Sequence, residues 1–210
     1  MTIQSLQEFF MRFFRRRRVR QLKQILPRVM NDIRVLDVGG GGYPWDDLDS
    51  PARVTLLNLK KELIAARSNR YERVAGDGRS LEYPDQSFDL VFSNSCIEHV
   101  GSFEEQKRFA REQRRVGKQL YCQTPAREFF VEPHMVAPPL HWLPTRIERR
   151  LVRWTSGWGW LSRPSQQEID EFLASTRLLT HDEMKALYPD CQILRERFLG
   201  FTKSHIAVRL

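Results

Sequence analysis

Apolar positions along this chain follow two rhythms. Short runs rich in apolar and β-branched residues occur at Ile33–Val38, Val54–Leu57, Tyr71–Ala75, Ser87–Ser93 and Lys118–Gln123. Runs of this length bounded by turn residues predict strands, and the nearly continuous ones predict strands buried on both faces. Between them Lys60–Arg67 reads as a helix, and Ser102 followed by Glu105 has the form of a capping box that opens a helix to about Arg115. Glu168–Leu173 reads as another helix, and Thr180 with Glu183 repeats the capping signature. Only the short segment Tyr43–Arg53 separates the first strand's loop from the second strand, too little for a full crossover helix, so Trp45–Leu48 is expected to make a turn or two. Gln192–Phe198 and Ser204–Val208, around Gly200, predict a closing hairpin. Strands alternating with helices in this way predict an α/β fold with a parallel, doubly wound sheet.

The N-terminal segment carries helical spacing twice, in Leu6, Phe9, Phe10 and Phe13 and, in shifted phase, in Val19, Leu22, Ile25, Leu26 and Val29. Charge changes the picture here. The formal charge of +8 is concentrated in residues 1–30, where Arg12, Arg15, Arg16, Arg17, Arg18, Arg20, Lys23 and Arg28 face Glu8 alone. That leaves +7 on the segment and +1 on the other 180 residues. Residues 1–30 therefore read as a basic amphipathic helical arm on a nearly neutral body, 31–210. The arm either packs its phenylalanines over the sheet edge or the substrate mouth, or lies on an anionic membrane. Residues 124–164 differ again: six of the eleven prolines and four of the five tryptophans fall there, which predicts an irregular aromatic insert of the kind that forms lids and binding loops.

Cys96, Cys122 and Cys191 are widely spaced and include no C-x-x-C pair, so neither a disulfide framework nor a zinc site is indicated. No apolar stretch reaches the length of a signal peptide core or a membrane span. The expected compartment is the cytoplasm, with the arm offering a peripheral membrane contact.

Candidate chemistry begins at Val35-Leu36-Asp37-Val38-Gly39-Gly40-Gly41-Gly42, an apolar run with one acid that breaks into four glycines. Glycine admits positive φ and lets bare backbone approach a ligand, which marks a cofactor-binding loop after a buried strand. With Val54–Asn58, Gly76-Asp77-Gly78-Arg79 and Ser87–Val100, this loop resembles class I S-adenosylmethionine-dependent methyltransferases, particularly the type 11 methyltransferase domain, over roughly residues 33–123. The resemblance implies a Rossmann-like, mostly parallel seven-stranded sheet ending in an antiparallel hairpin, and S-adenosyl-L-methionine as cofactor. It carries over Asp37, Gly39 and Gly41 as loop positions beneath the methionine and ribose. It also carries over Asp77 with Gly78 at the adenine, and Ser93 and Asn94 at the end of the fourth strand. Asn58 stands where the family usually has an acid that accepts from both ribose hydroxyls. Tyr43 replaces the third glycine of the usual pattern, so the tyrosine narrows the pocket or the loop shifts onto Gly42. A neutral acceptor gives about 1 kcal/mol where a charged one gives about 1.5–3, so weaker cofactor binding is expected.

Methyl transfer from a sulfonium is an in-line displacement governed mainly by positioning, with a general base adding about 10²–10⁴-fold. The aromatic insert is the expected builder of the acceptor pocket. Within it Glu132-Pro133-His134 offers His134 as a base for a hydroxyl acceptor and Glu132 as the group that orients it. His99 suits a structural role or a substrate contact equally. His–Glu spacing here is not diagnostic of a metal, and none is expected. The expected acceptor is a small molecule, a glycan or a lipid-linked compound. An RNA methyltransferase and a non-catalytic S-adenosylmethionine-binding or assembly protein are the alternatives, although Ser93-Asn94-Ser95-Cys96 departs from the Asn/Asp-Pro-Pro pattern of amino-methylating nucleic-acid enzymes. A dinucleotide-dependent oxidoreductase is disfavoured because Pro44 stands where its fingerprint needs glycine.

Overall fold

The computed structural model describes residues 17–59, 70–132 and 134–210. The expected helices over Leu6–Phe13 and Lys60–Arg67 lie outside the described residues. Seven strands form one sheet: β1 Arg34–Val38, β2 Arg53–Asn58, β3 Glu72–Ala75, β4 Phe88–Asn94, β5 Gly117–Pro125, β6 Gln192–Phe198 and β7 Phe201–Arg209. Their order is β3-β2-β1-β4-β5-β7-β6, with β7 antiparallel to both β5 and β6 and the other neighbours parallel. The hairpin turns at Leu199–Gly200, where both residues have positive φ.

The central strands are buried on both faces, so their side chains divide between two cores. One face packs Leu36, Val38, Leu57, Val91 and Leu120 against Phe109 and Val116 of α3 (Phe103–Val116) and Met184, Leu187 and Tyr188 around α7 (His181–Leu187). The other packs Val35, Leu56, Leu90, Phe92 and Ile206 against Trp45 and Leu48 of the four-residue α2 (Trp45–Leu48). Leu22 and Leu26, in and just after α1 (residues 17–25), and Val29 join this second core. The described part of the basic arm is thus held to the sheet by apolar burial, while Arg17 and Arg20 on its other side are exposed. No helix among the described residues is long and apolar enough to cross a membrane.

Two local expectations change. Ser102 caps α3 by accepting from the Glu105 N–H at 3.4 Å, but the Glu105 carboxylate does not return to the cap. It pairs with Arg79 at 2.6 Å instead, because the guanidinium adds a full opposite charge that a backbone N–H lacks. At Thr180 both halves of the capping box form.

The insert is also more regular than its proline and tryptophan content predicts. Residues 145–162 fold into α4 (Thr145–Thr155) and α5 (Gly157–Ser162), with the Ser156 hydroxyl capping α5 by accepting from the Gly159 N–H at 2.8 Å. Val152 packs with Met135, Ala137, Leu140 and with Ile169 of α6 (Gln166–Ser175), giving the insert a small core of its own.

Candidate functional site

The carboxyl ends of β1, β2 and β4 and the turn after β3 surround a cleft of about 300 Å³. This is where open parallel sheets bind ligands, since the strand order reverses there. Gly39, Asn58, Asp77, Gly78, Ser95, Cys96 and His99 line it.

The loop's geometry follows from its neighbours. Gly39 has φ +83°, and a Cβ there would lie 2.5 Å from Cys96 Sγ. Its N–H continues the β1–β2 ladder to the Leu57 carbonyl at 2.8 Å. The next positive φ falls on Gly42 at +114°, so the loop shifts onto this glycine. Tyr43 does not line this cleft: it lies in a separate crevice with Arg18, Leu22, Phe92 and Asn94. Asn58 donates from Nδ2 to the Gly40 carbonyl at 2.9 Å. A carboxylate would set two acceptors against each other there, so the amide ties the loop to β2 and still has an oxygen to accept with.

Asp77 is engaged before any ligand arrives. Arg79 donates to both its carboxylate oxygens, from Nη2 at 2.7 Å and from Nε at 3.0 Å, and the Arg79 N–H donates at 2.9 Å. The arginine bonds hold this carboxyl below the usual range. Gly78 is tightly enclosed, since a Cβ would lie 2.5 Å from the Phe109 ring.

Four of the expected cofactor residues do not line the cleft. Gly41 is exposed, with nothing within 4 Å of where its Cβ would be. Asp37 is fully buried beneath the loop, on the face covered by α2, where it accepts from Trp45 Nε1 at 2.8 Å. Ser93 is buried on the other face and donates to the Val38 carbonyl at 3.0 Å. Asn94 points toward the arm, accepting from Arg18 at 3.4 Å. Strand alternation separates these neighbours, and after β4 the cleft is reached from Ser95 and Cys96 onward, where the strand has ended. The residues that sequence reasoning underweighted are Cys96 and Phe109, whose closeness to the two glycines is a tertiary fact.

A second cavity of about 280 Å³ is lined by Arg127, Glu132, His141, Glu148, Thr176 and Arg177 among others. It meets the first at His99, whose Nδ1 lies 3.4 Å from Thr176 Oγ1. His134 lines neither cavity; its ring packs on His99 at 4.9 Å between centroids, with Nδ1 2.6 Å from Glu132 Oε1 and Nε2 3.7 Å from Glu98 Oε1. Burial pushes the imidazole pKa down, but the hydrogen bond to Glu132 and the Glu98 carboxylate facing the ring outweigh this and raise it to about 9. His134 therefore carries its proton at neutral pH, and a base role requires that proton to leave first.

A mostly parallel sheet with this strand order and a glycine-floored cleft at its switch point is the architecture of the S-adenosylmethionine-dependent methyltransferases. Residues 36–120 match the family model described as a methyltransferase domain, of type 11. Residues 36–120 thus carry a methyltransferase domain consistent with the type 11 branch of class I, and S-adenosyl-L-methionine is the cofactor that domain implies.

No curated protein matches the sequence. Among solved structures, the S-adenosylmethionine-dependent methyltransferase of Mesorhizobium loti aligns over 90% of this chain and 94% of its own at 14% identity, with a TM-score of 0.58. One from Methanosarcina mazei aligns over 88% and 94% at 18% identity, with a TM-score of 0.52. These likenesses show the fold. The cyclase SpnF matches more narrowly, at 25% identity and a TM-score of 0.45 over 53% of this chain and 46% of the cyclase, so the chain spans less than half that protein's length.

Proposed function

We propose that the protein transfers the methyl group of S-adenosylmethionine to a polar, hydroxyl-bearing acceptor, a small molecule or glycan seated in the second cavity. The observation that carries this reading is the shared wall: a cavity holding two guanidiniums and two carboxylates opens beside the cofactor cleft at His99 and Thr176. Donors and acceptors alternating around a partly closed pocket suit a ligand with several hydroxyls. Glu148 is buried there, and desolvation followed by the nearby Glu132 raises its carboxyl pKa. A ligand hydroxyl would supply a hydrogen bond in place of the lost solvation.

Labelled S-adenosylmethionine incubated with the protein and a polar small-molecule extract should place label in that extract. Glu148→Gln should then raise the acceptor KM about tenfold and leave the affinity for S-adenosylhomocysteine unchanged. Label appearing in RNA and not in the small-molecule fraction contradicts the reading.

A lipid-presented acceptor is favoured by one further observation. Trp154 is 70% exposed, Trp160 68% and Leu161 53%. Trp160 Nε1 donates to the Trp154 carbonyl at 2.6 Å, and Arg153 and Arg163 flank the same crevice. Exposed tryptophans between arginines suit the headgroup region of an anionic bilayer, which the basic arm would reinforce. Trp154→Ala with Trp160→Ala should lower sedimentation with anionic vesicles about tenfold, and removal of residues 1–16, which keeps the buried Leu22, should lower it further. Equal sedimentation of all three chains overturns the lipid reading.

A further inference from the structure

The geometry points to a binding site for a divalent transition-metal ion formed by Glu98, His99 and His134. One ligand atom from each of these side chains lies within 4.8 Å of the others, and no other group of three among the described residues does so. The His99 and His134 rings meet edge to face at 4.9 Å between centroids. Independently, Glu98 is fully buried and its Oε1 has no hydrogen-bond partner. That oxygen faces His134 Nε2 at 3.7 Å. A buried carboxylate oxygen with no hydrogen bond, balanced only by the His134 imidazolium at 3.7 Å, is costly, and a metal ion that displaces the His134 proton would satisfy it more closely.

Each of the three has an outer partner that fixes it, and each partner comes from a different part of the chain. Glu98 Oε2 accepts from Thr124 Oγ1 at 2.9 Å, at the end of β5. His134 Nδ1 is held by Glu132 Oε1 at 2.6 Å, and Glu132 Oε2 is fixed in turn by the Met135 N–H at 2.6 Å. His99 Nδ1 faces Thr176 Oγ1 at 3.4 Å. Carboxylate and hydroxyl groups behind the imidazoles orient ligands in this way at metal centres. Two imidazoles and one carboxylate select Zn²⁺, Co²⁺, Mn²⁺ or Fe²⁺ over the oxygen-loving Mg²⁺ and Ca²⁺, and leave positions open. Bonds of about 2.0–2.2 Å require the three atoms to draw together on binding.

The ion would sit in the wall between the two cavities, since His99 lines the cofactor cleft and Glu132 and Thr176 line the other. Its use in the reaction rests on the acceptor reading above: a hydroxyl taking an open position would give up its proton more readily. The existence of the site does not depend on that reading, so the test uses metal alone.

Untagged full-length protein, stripped with chelator, is titrated with Co²⁺ while its visible absorption is followed, and with Zn²⁺ by calorimetry, without cofactor or acceptor. One equivalent is expected to bind, with new visible bands for cobalt. His99→Ala and His134→Ala should each weaken binding at least tenfold, with wild-type circular dichroism, and Cys191→Ser should bind as the wild type does. Absence of saturable one-to-one binding and of cobalt bands in the wild-type chain overturns the site, however the variants fold. Binding by a folded His99→Ala chain that equals the wild type also overturns it. Failure here leaves labelling of a polar acceptor unaffected, and failure of that labelling leaves the metal titration unaffected.

Discussion

Gly39→Val should reduce affinity for S-adenosylhomocysteine at least 100-fold, about 2.7 kcal/mol. Two effects act together. A β-branched residue at φ +83° is strongly disfavoured, by about 1–2 kcal/mol or more. The new Cβ would also stand 2.5 Å from Cys96 Sγ and 2.9 Å from Cys96 Cβ, so either the loop or the segment after β4 must move. Both line the cleft, so either movement disturbs its floor. The two contributions separate in Gly39→Ala: adding Cys96→Gly removes the clash and should restore part of the lost stability in urea unfolding, while the φ penalty remains. A Gly39→Val chain that binds within threefold of wild type would show that the loop does not form the floor of the cofactor site.

The second large effect concerns pH. Asp37 is fully buried, its Oδ1 has no partner, and burial raises its pKa to about 7 despite the opposing bond from Trp45. A folded-state pKa above the unfolded value of 3.8 means that the native state holds the proton more tightly. Stability from this group is therefore fully present below about pH 4 and is lost as pH rises through 7. Linkage over that interval is on the order of 4 kcal/mol. Asn at position 37 keeps an acceptor for Trp45 and does not titrate. The unfolding free energy of wild type minus that of Asp37→Asn should accordingly fall by several kcal/mol between pH 4 and pH 8. A difference that stays constant with pH would mean that Asp37 is ionised in the fold without penalty.

The sheet was legible because its signals are local. Val35–Val38, Val54–Leu57 and Leu90–Phe92 are apolar on both faces, and each sits in a central strand. The insert helices were hidden because prolines and tryptophans mask a period that only shows once Val152 and Ile169 are seen in one core. At the site, Gly39, Asn58, Asp77 and Gly78 line the cleft, each at a glycine turn or a strand end that is visible in the sequence. Asp37, Ser93 and Asn94 do not line it, because a one-residue step along a strand reverses the face and the strand end decides which residue reaches the cleft. The Glu98–His99–His134 cluster could not be read from spacing, since its members are joined only when the insert folds back over β4's end. His134 is a clear case: its pairing with Glu132 is local in sequence, but its charge depends also on Glu98.

The central claim is that this chain binds S-adenosylmethionine in the cleft beneath its glycine loop. Calorimetric titration of the wild-type protein with S-adenosylhomocysteine tests it most directly. One site per chain with a micromolar dissociation constant is expected. No heat of binding at high-micromolar ligand, from protein with intact circular dichroism, would contradict it.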